Sequence, residues 1–107
     1  MDLQLKDKVA LITGPAKGMG RAVTLAFARE GAKLVLAGRD TAAIEPVAAE
    51  ARALGVAAIV VPCDLTKSAQ TEALAAHALE AFGRIDILVN VAGGSGPIGK
   101  TLSLIHI

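Results

Sequence analysis

"LITGPAKGMGRA", residues 11–22, joins a short aliphatic run to a helix through a turn that holds Gly14, Gly18 and Gly20. A helix begins with backbone N–H groups that have no intrahelical partner, and that end carries partial positive charge. It suits a pyrophosphate, provided the ligand can approach the backbone closely. Glycines give that room, because no Cβ stands in the way. The spacing is G-x-x-x-G-x-G rather than the commoner G-x-G-x-x-G. An isolated glycine triplet is equally the mark of a tight turn without a ligand. What surrounds the turn decides between the two readings.

Upstream, "KVALIT" (8–13) is a short aliphatic run and reads as a buried strand. Downstream, "RAVTLAFAREG" (21–31) reads as a helix, with Val23, Ala26, Phe27 and Glu30 at helical spacing and Gly31 as its stop. "AKLVLAG" (32–38) is a second strand. Thr41 is placed to cap a second helix that reaches Leu54, with Gly55 after it. Pro46 should kink a helix that begins at Thr41, and a start near Glu45 would remove the conflict. "VAAIVVPCD" (56–64) is a third strand, Ser68 a cap for a third helix to about Phe82, and Gly83 its stop. "RIDILVNVAG" (84–93) is a fourth strand that runs into a second glycine turn. The order βαβαβαβ predicts an α/β fold, a parallel sheet with helices on its faces. The glycine triplet follows strand one of a βαβ unit, the setting a phosphate-binding turn requires.

The 107 residues bound the chain to one domain at most. Composition is 53% hydrophobic, with mean hydropathy +0.56, which excludes a disordered chain. Eleven basic and ten acidic residues give a formal charge of +1, and no basic run suggests a nucleic-acid surface. No apolar stretch reaches the roughly 18 residues of a transmembrane helix. The N-terminus "MDLQLKDK" is polar and mixed in charge, unlike a signal peptide. The single cysteine, Cys63, permits no internal disulfide and reads as a small buried residue; a cytoplasmic location is expected. No Cys/His cluster has metal-site spacing, and with His only at 77 and 106 no Ser/His/Asp arrangement arises.

Thr13-Gly14-x-x-x-Gly18-x-Gly20 resembles the cofactor motif of the short-chain dehydrogenase/reductase family, in its classical branch. Three later stretches agree. "CDLT" (63–66) is similar to the family's Asp-Leu or Asp-Val after strand three, which flanks the adenine. "ILVNVAGG" (87–94) resembles its Asn-Asn-Ala-Gly segment, and "GRIDILVN" (83–90) its usual lead-in. The resemblance spans residues 5 to about 101 and implies the first half of a Rossmann-type, doubly wound sheet in strand order 3-2-1-4. Strand four would then be an unpaired apolar edge. The resemblance carries a cofactor-binding set onto Thr13, Gly14, Lys17, Gly18, Met19, Gly20, Arg39, Asp64, Leu65, Asn90, Ala92 and Gly93. Two positions depart from the family. Pro15 removes an amide donor and is expected to restrict Gly14 toward extended conformations. Val91 replaces the second Asn, whereas Asn90 matches the first, which braces the sheet in the family.

The resemblance also bears on the choice of nicotinamide cofactor. An acidic residue that ends strand two accepts the ribose 2′-OH of NAD, and a nearby arginine accommodates the 2′-phosphate of NADP. Here Gly38 stands where NAD-preferring members carry Asp, and Arg39 follows with a planar fork of donors. NADP is expected over NAD. Two rival readings remain: Arg39 as a solvated charge or a stacking partner of adenine, and Asp40 reaching the ribose from a shifted turn.

Family members of this branch reduce a carbonyl or oxidise an alcohol, using a serine and a Tyr-x-x-x-Lys pair. The nearby cation lowers the tyrosine pKa toward the working pH. This chain has no tyrosine, and neither Ser68, Ser95 nor Ser103 occupies the family's serine position. No residue is therefore assigned a catalytic role, and the 107 residues alone are expected to be inactive. The intact protein would act on a small carbonyl or alcohol as a homodimer or homotetramer, without nucleic acid or membrane. The rival functions are a non-catalytic nucleotide-binding module and a scaffold that has lost its catalytic pair. The last six residues, "LSLIHI" (102–107), have no family counterpart. They can be encoded as CTG TCT CTT ATA CAC ATC, a string that matches the transposon end used to fragment DNA for sequencing libraries, and are expected to be a non-native tail. Sequencing the source DNA across codons 95–107 is expected to show the frame leaving "LSLIHI" near Thr101 and continuing to a serine and a Tyr-x-x-x-Lys. A stop codon after Ile107 in clean genomic sequence would favour the binding module instead.

Overall fold

The structure, a computed structural model, describes residues 5–16 and 18–91, together with the backbone of 105 and 106. Its centre is β1 (Val9–Thr13), all five residues of which are buried. An unbroken aliphatic run suits a strand covered on both faces. Ala10 and Ile12 face one layer, with Phe27, Ala28, Ile44 and Ala48 of α1 (Gly18–Arg29) and α2 (Thr41–Ala53). Val9 and Leu11 face the other, with Leu74 and Ala78 of α3 (Ser68–Phe82). Full burial of each such Leu or Ile side chain stabilises the fold by about 1.5–3 kcal/mol.

The sheet order is β3-β2-β1-β4-β5, with β2 at Lys33–Gly38, β3 at Ala58–Pro62, β4 at Ile87–Asn90 and β5 at Ile105–His106. All pairings are parallel. The expected order 3-2-1-4 is present, but the edge of β4 is not bare. The two-residue β5, which falls within the stretch read as a non-native tail, pairs with Ile87 and Leu88. Register levels the strand ends: Thr13 lies opposite Ala37 and Asn90, and Gly38 opposite Pro62. Every β-to-α turn therefore opens on one rim.

Helix boundaries differ from the sequence reading for local reasons. α1 starts at Gly18, inside the glycine turn, and it buries Gly20, Thr24, Leu25, Phe27 and Ala28 while Ala26 faces outward. The N-cap of α2 is Asp40 rather than Thr41, its carboxylate accepting the Ala43 N–H at 3.2 Å. A carboxylate makes the stronger cap at the positive helix end. The helix then runs through Pro46 without a later start. Proline's fixed φ is helical, and the bond it omits would end on Ala42, which lies with Pro46 on the exposed face where water can replace it. Ser68 is likewise not a cap: Lys67 holds that position without a side-chain bond, and the Ser68 carbonyl accepts from the buried Thr71 hydroxyl at 2.8 Å. Gly83 does end α3, in the left-handed conformation at φ 78°.

One polar pin sits at the opposite end of the β1–β4 pair. Asp86 donates its N–H to the Val9 carbonyl at 2.9 Å and accepts the Val9 N–H on Oδ2 at 2.8 Å. Arg84 holds the other carboxylate oxygen at 2.6 and 3.0 Å. Partial burial alone would raise the Asp86 pKa, but Arg84 and the Val9 N–H outweigh it and hold the carboxyl below its ordinary value. A carboxyl depressed in this way stabilises the fold above its unfolded pKa of about 3.9. The contribution is lost as pH falls through the folded value. Asp86→Asn is therefore expected to cost about 2 kcal/mol near pH 7. Melting curves against pH should show the gap to the unsubstituted chain closing below about pH 4; a gap constant into strong acid would refute this role.

Candidate functional site

The level rim gathers most of the residues singled out in the sequence. Gly14 and Gly18 take φ 68° and 52°, a region L side chains rarely adopt. Gly14 is thus not driven to the extended conformation expected before Pro15. Much of the pre-proline clash involves a Cβ, which glycine lacks. Pro15 itself is fully buried. A Cβ at Gly18 would meet nothing within 4 Å, so the start of α1 opens on free space. A Cβ at Gly20 would overlap the Gly14 carbonyl oxygen and lie 2.9 Å from its carbonyl carbon. Gly20 therefore lets α1 press against the turn and points the helix N-terminus over the end of β1.

Beside the turn lies a cleft of about 350 Å³, lined by Gly14, Pro15, Ala16, Gly38, Arg39 and Asp40 with Ala43 and Ile44 behind them. Both of its walls are β-to-α turns, from β1 and from β2. Arg39 is exposed at the rim, and among the described residues none hydrogen-bonds or ion-pairs with its guanidinium. Asp40 is engaged in the α2 cap. Ala43 and Ile44 escaped the sequence reading. The signal for them was the true cap: from Asp40 the third and fourth residues of α2 return to the β2 turn.

Next to Arg39 is the loop after β3. Asp64 Oδ1 accepts the Thr66 hydroxyl at 2.7 Å and its N–H at 3.0 Å, and the Asp64 N–H donates to Gln70 Oε1 at 2.6 Å. The Thr66 hydroxyl and then its N–H lower the Asp64 pKa against a small desolvation, and the charges of Arg39 and Lys67 add to this. Asp64 thus closes its own turn and stays an anion beside the Arg39 cation. Cys63 is buried, which raises its thiol pKa, and the neighbouring Asp64 charge raises it further. Leu65 is half-buried against the α3 layer.

On the other side of β1, the buried Thr13 hydroxyl donates to Asn90 Oδ1 at 2.9 Å and lies 3.4 Å from the Val89 carbonyl. The Val91 N–H donates to the Thr13 carbonyl at 3.2 Å. Thr13 and Asn90 therefore join the ends of β1 and β4. Met19 is exposed on the first turn of α1. Lys17, Ala92 and Gly93 lie outside the described residues.

The glycine turn over the central strand and the level sheet in this order have the geometry of a Rossmann-type half sheet, and the comparisons with known proteins agree. The family model described as short chain dehydrogenase matches residues 8–104. The chain belongs to the short-chain dehydrogenase family. Among curated members it is 45% identical over 92 residues to 1,6-dihydroxycyclohexa-2,4-diene-1-carboxylate dehydrogenase of Acinetobacter baylyi, covering 86% of this chain and 35% of that one. It is 40% identical over 96 residues to 7alpha-hydroxysteroid dehydrogenase of Escherichia coli, covering 90% and 38%. Among solved structures it resembles a short chain dehydrogenase/reductase from Burkholderia phymatum in complex with NAD, at 42% identity and TM-score 0.77, covering 81% and 31%. It also resembles a metagenomic short-chain oxidoreductase in complex with NADP, at 38% identity and TM-score 0.76, covering 79% and 38%. The chain spans about a third of the length of these short-chain dehydrogenases.

The Gly20 contact is with backbone, which cannot yield as a flexible side chain would. Gly20→Ala is expected to destabilise the fold by about 3 kcal/mol or more. Chemical denaturation should show that loss, and a variant as stable as the parent would disprove the close approach.

Proposed function

We propose that this chain is the cofactor-binding half of an NAD(P)(H)-dependent oxidoreductase that acts on a small carbonyl or alcohol, with NADP preferred over NAD. The observation that carries the preference is Arg39, whose guanidinium makes no hydrogen bond or ion pair among the described residues, on the rim of a cleft whose β2 end is Gly38 rather than an acid. The dinucleotide supplies the hydride when bound. The chain's own residues bind and orient it. Amides of the glycine turn and the α1 N-terminus receive the pyrophosphate, with Met19 beside them, and the family resemblance assigns Lys17 to the same group. Arg39 takes the 2′-phosphate through its planar fork. Asp64 and Leu65 border the adenine. Asn90, held by Thr13, keeps the β4 end in place, and the family resemblance assigns Ala92 and Gly93 to the nicotinamide side. Catalysis would require residues that this chain lacks, since it contains no tyrosine. The whole protein is proposed to work as a cytoplasmic homodimer or homotetramer.

The test is calorimetric titration of the chain and of Arg39→Ala with NADP and NAD. A charge-assisted bond of about 1.5–3 kcal/mol predicts a loss of NADP affinity of about 10- to 100-fold, with NAD affinity changed less than about twofold. An equal loss for both cofactors would mean that Arg39 stacks on adenine, and the NADP preference would fall.

A further inference from the structure

Gly38 ends β2, yet its backbone is not in the left-handed region. Nothing in its own conformation requires glycine. The restriction comes from α2. A Cβ placed on Gly38 would lie 2.9 Å from Ile44 Cδ1 and 4.0 Å from Ile44 Cγ1. The first distance is too short for two carbons and the second is ordinary contact, so the conflict is with a single terminal methyl.

That methyl can retreat only into the packed layer or into the cleft. Ile44 is 2% exposed and belongs to the packed layer of Ile12, Leu36 and Ala48. The Asp40 cap fixes the turn of α2 that carries it, and a β-branched side chain in a helix is confined to one χ1 rotamer, which leaves Cδ1 to move by χ2 alone. Inward movement meets the core. Outward movement enters the cleft that Gly38 and Ile44 both line.

We infer that Ile44 is a specificity-determining residue: its Cδ1 methyl disfavours a side chain at position 38, and with it a carboxylate at the ribose end of the cleft, because a methyl displaced outward would fill that cleft. The inference rests on the reading of that cleft as part of a dinucleotide site. Under it, selection against NAD is built into the packing of α2 as well as into the charge of Arg39. An acid at position 38 is accommodated fully only when position 44 shortens as well.

Two measurements on the full chain test this. The first needs no cofactor. Gly38→Ala adds only the Cβ, and it should lower the melting temperature when Ile44 is present. Combined with Ile44→Val, which removes the Cδ1 methyl, the same substitution should raise it by about 4 °C relative to Ile44→Val alone, the ordinary gain on replacing a strand glycine. The second is NAD affinity by calorimetry. Gly38→Asp alone should gain less than about twofold, and Gly38→Asp with Ile44→Val should bind NAD at least about tenfold more tightly than Gly38→Asp alone. A rise in melting temperature for Gly38→Ala with Ile44 intact would overturn the inference. So would a full tenfold NAD gain from Gly38→Asp alone, and in that case the cofactor reading would stand. If no variant and not the parent bound NAD or NADP, the cofactor reading would fall, and the melting temperatures would still decide whether Ile44 closes position 38.

Discussion

Helix α1 can sit over the end of β1 only because Gly20 touches the Gly14 carbonyl with no Cβ between them. Much of the rim follows from that close approach. It aims the positive helix end at the space above the strand, brings Pro15 into the interior, and forms one wall of the cleft with Gly14 and Ala16. It also fixes the height of α1 against the sheet, so that Phe27 and Ala28 reach Ala10 and Ile12. A larger residue would lift the helix and lose both the packing and the cradle. Stability and ligand geometry thus share one contact.

The central strand is then tied at both ends to β4. At its start, Asp86 exchanges hydrogen bonds with Val9, and at its finish Thr13 bonds Asn90. These ties matter because β1 and β4 are adjacent in the sheet but more than 70 positions apart in the chain, as the separations of their hydrogen bonds show. Closing so long a loop costs entropy that local contacts do not recover. On the other side of β1, β2 needs no such pins. It follows directly after α1, and its aliphatic residues pair along the whole length of β1. The two sides of the strand are therefore held by different means, hydrophobic continuity on one and paired polar groups on the other.

The alternation of aliphatic runs with helices ending at Gly31, Gly55 and Gly83 made the βαβαβαβ order legible, because covered parallel strands and helix stops leave strong local patterns. The glycine turn was legible for the same reason. The helix starts were less so. Asp40 and Thr41 are both cap residues side by side, and the folded chain uses the carboxylate, which accepts the Ala43 N–H. Ser68 fails as a cap because Thr71, rather than a solvent-facing group, takes its carbonyl. Pairing beyond β4 was not legible either, since a two-residue strand carries no periodicity. Within the site, Asp64, Arg39 and Asn90 could be named from sequence. The lining by Ala43 and Ile44 could not, because it depends on the turn at which α2 begins.

Cofactor choice in such a cleft is usually described by charge alone, an acid for a hydroxyl or an arginine for a phosphate. The packing around Gly38 adds a second constraint of a different kind. A charge on the rim is screened and easily replaced, and its energetic weight changes with salt. A methyl in a close-packed layer is indifferent to salt and can be altered only with its neighbours. Arg39 and Ile44 belong to separate elements, the β2 turn and α2, yet both act on the few ångströms around Gly38. Asp40 links them, following Arg39 in the chain and capping the helix that carries Ile44. A change in that cap would act on both, so the proposed preference rests on the whole β2–α2 corner rather than on either side chain.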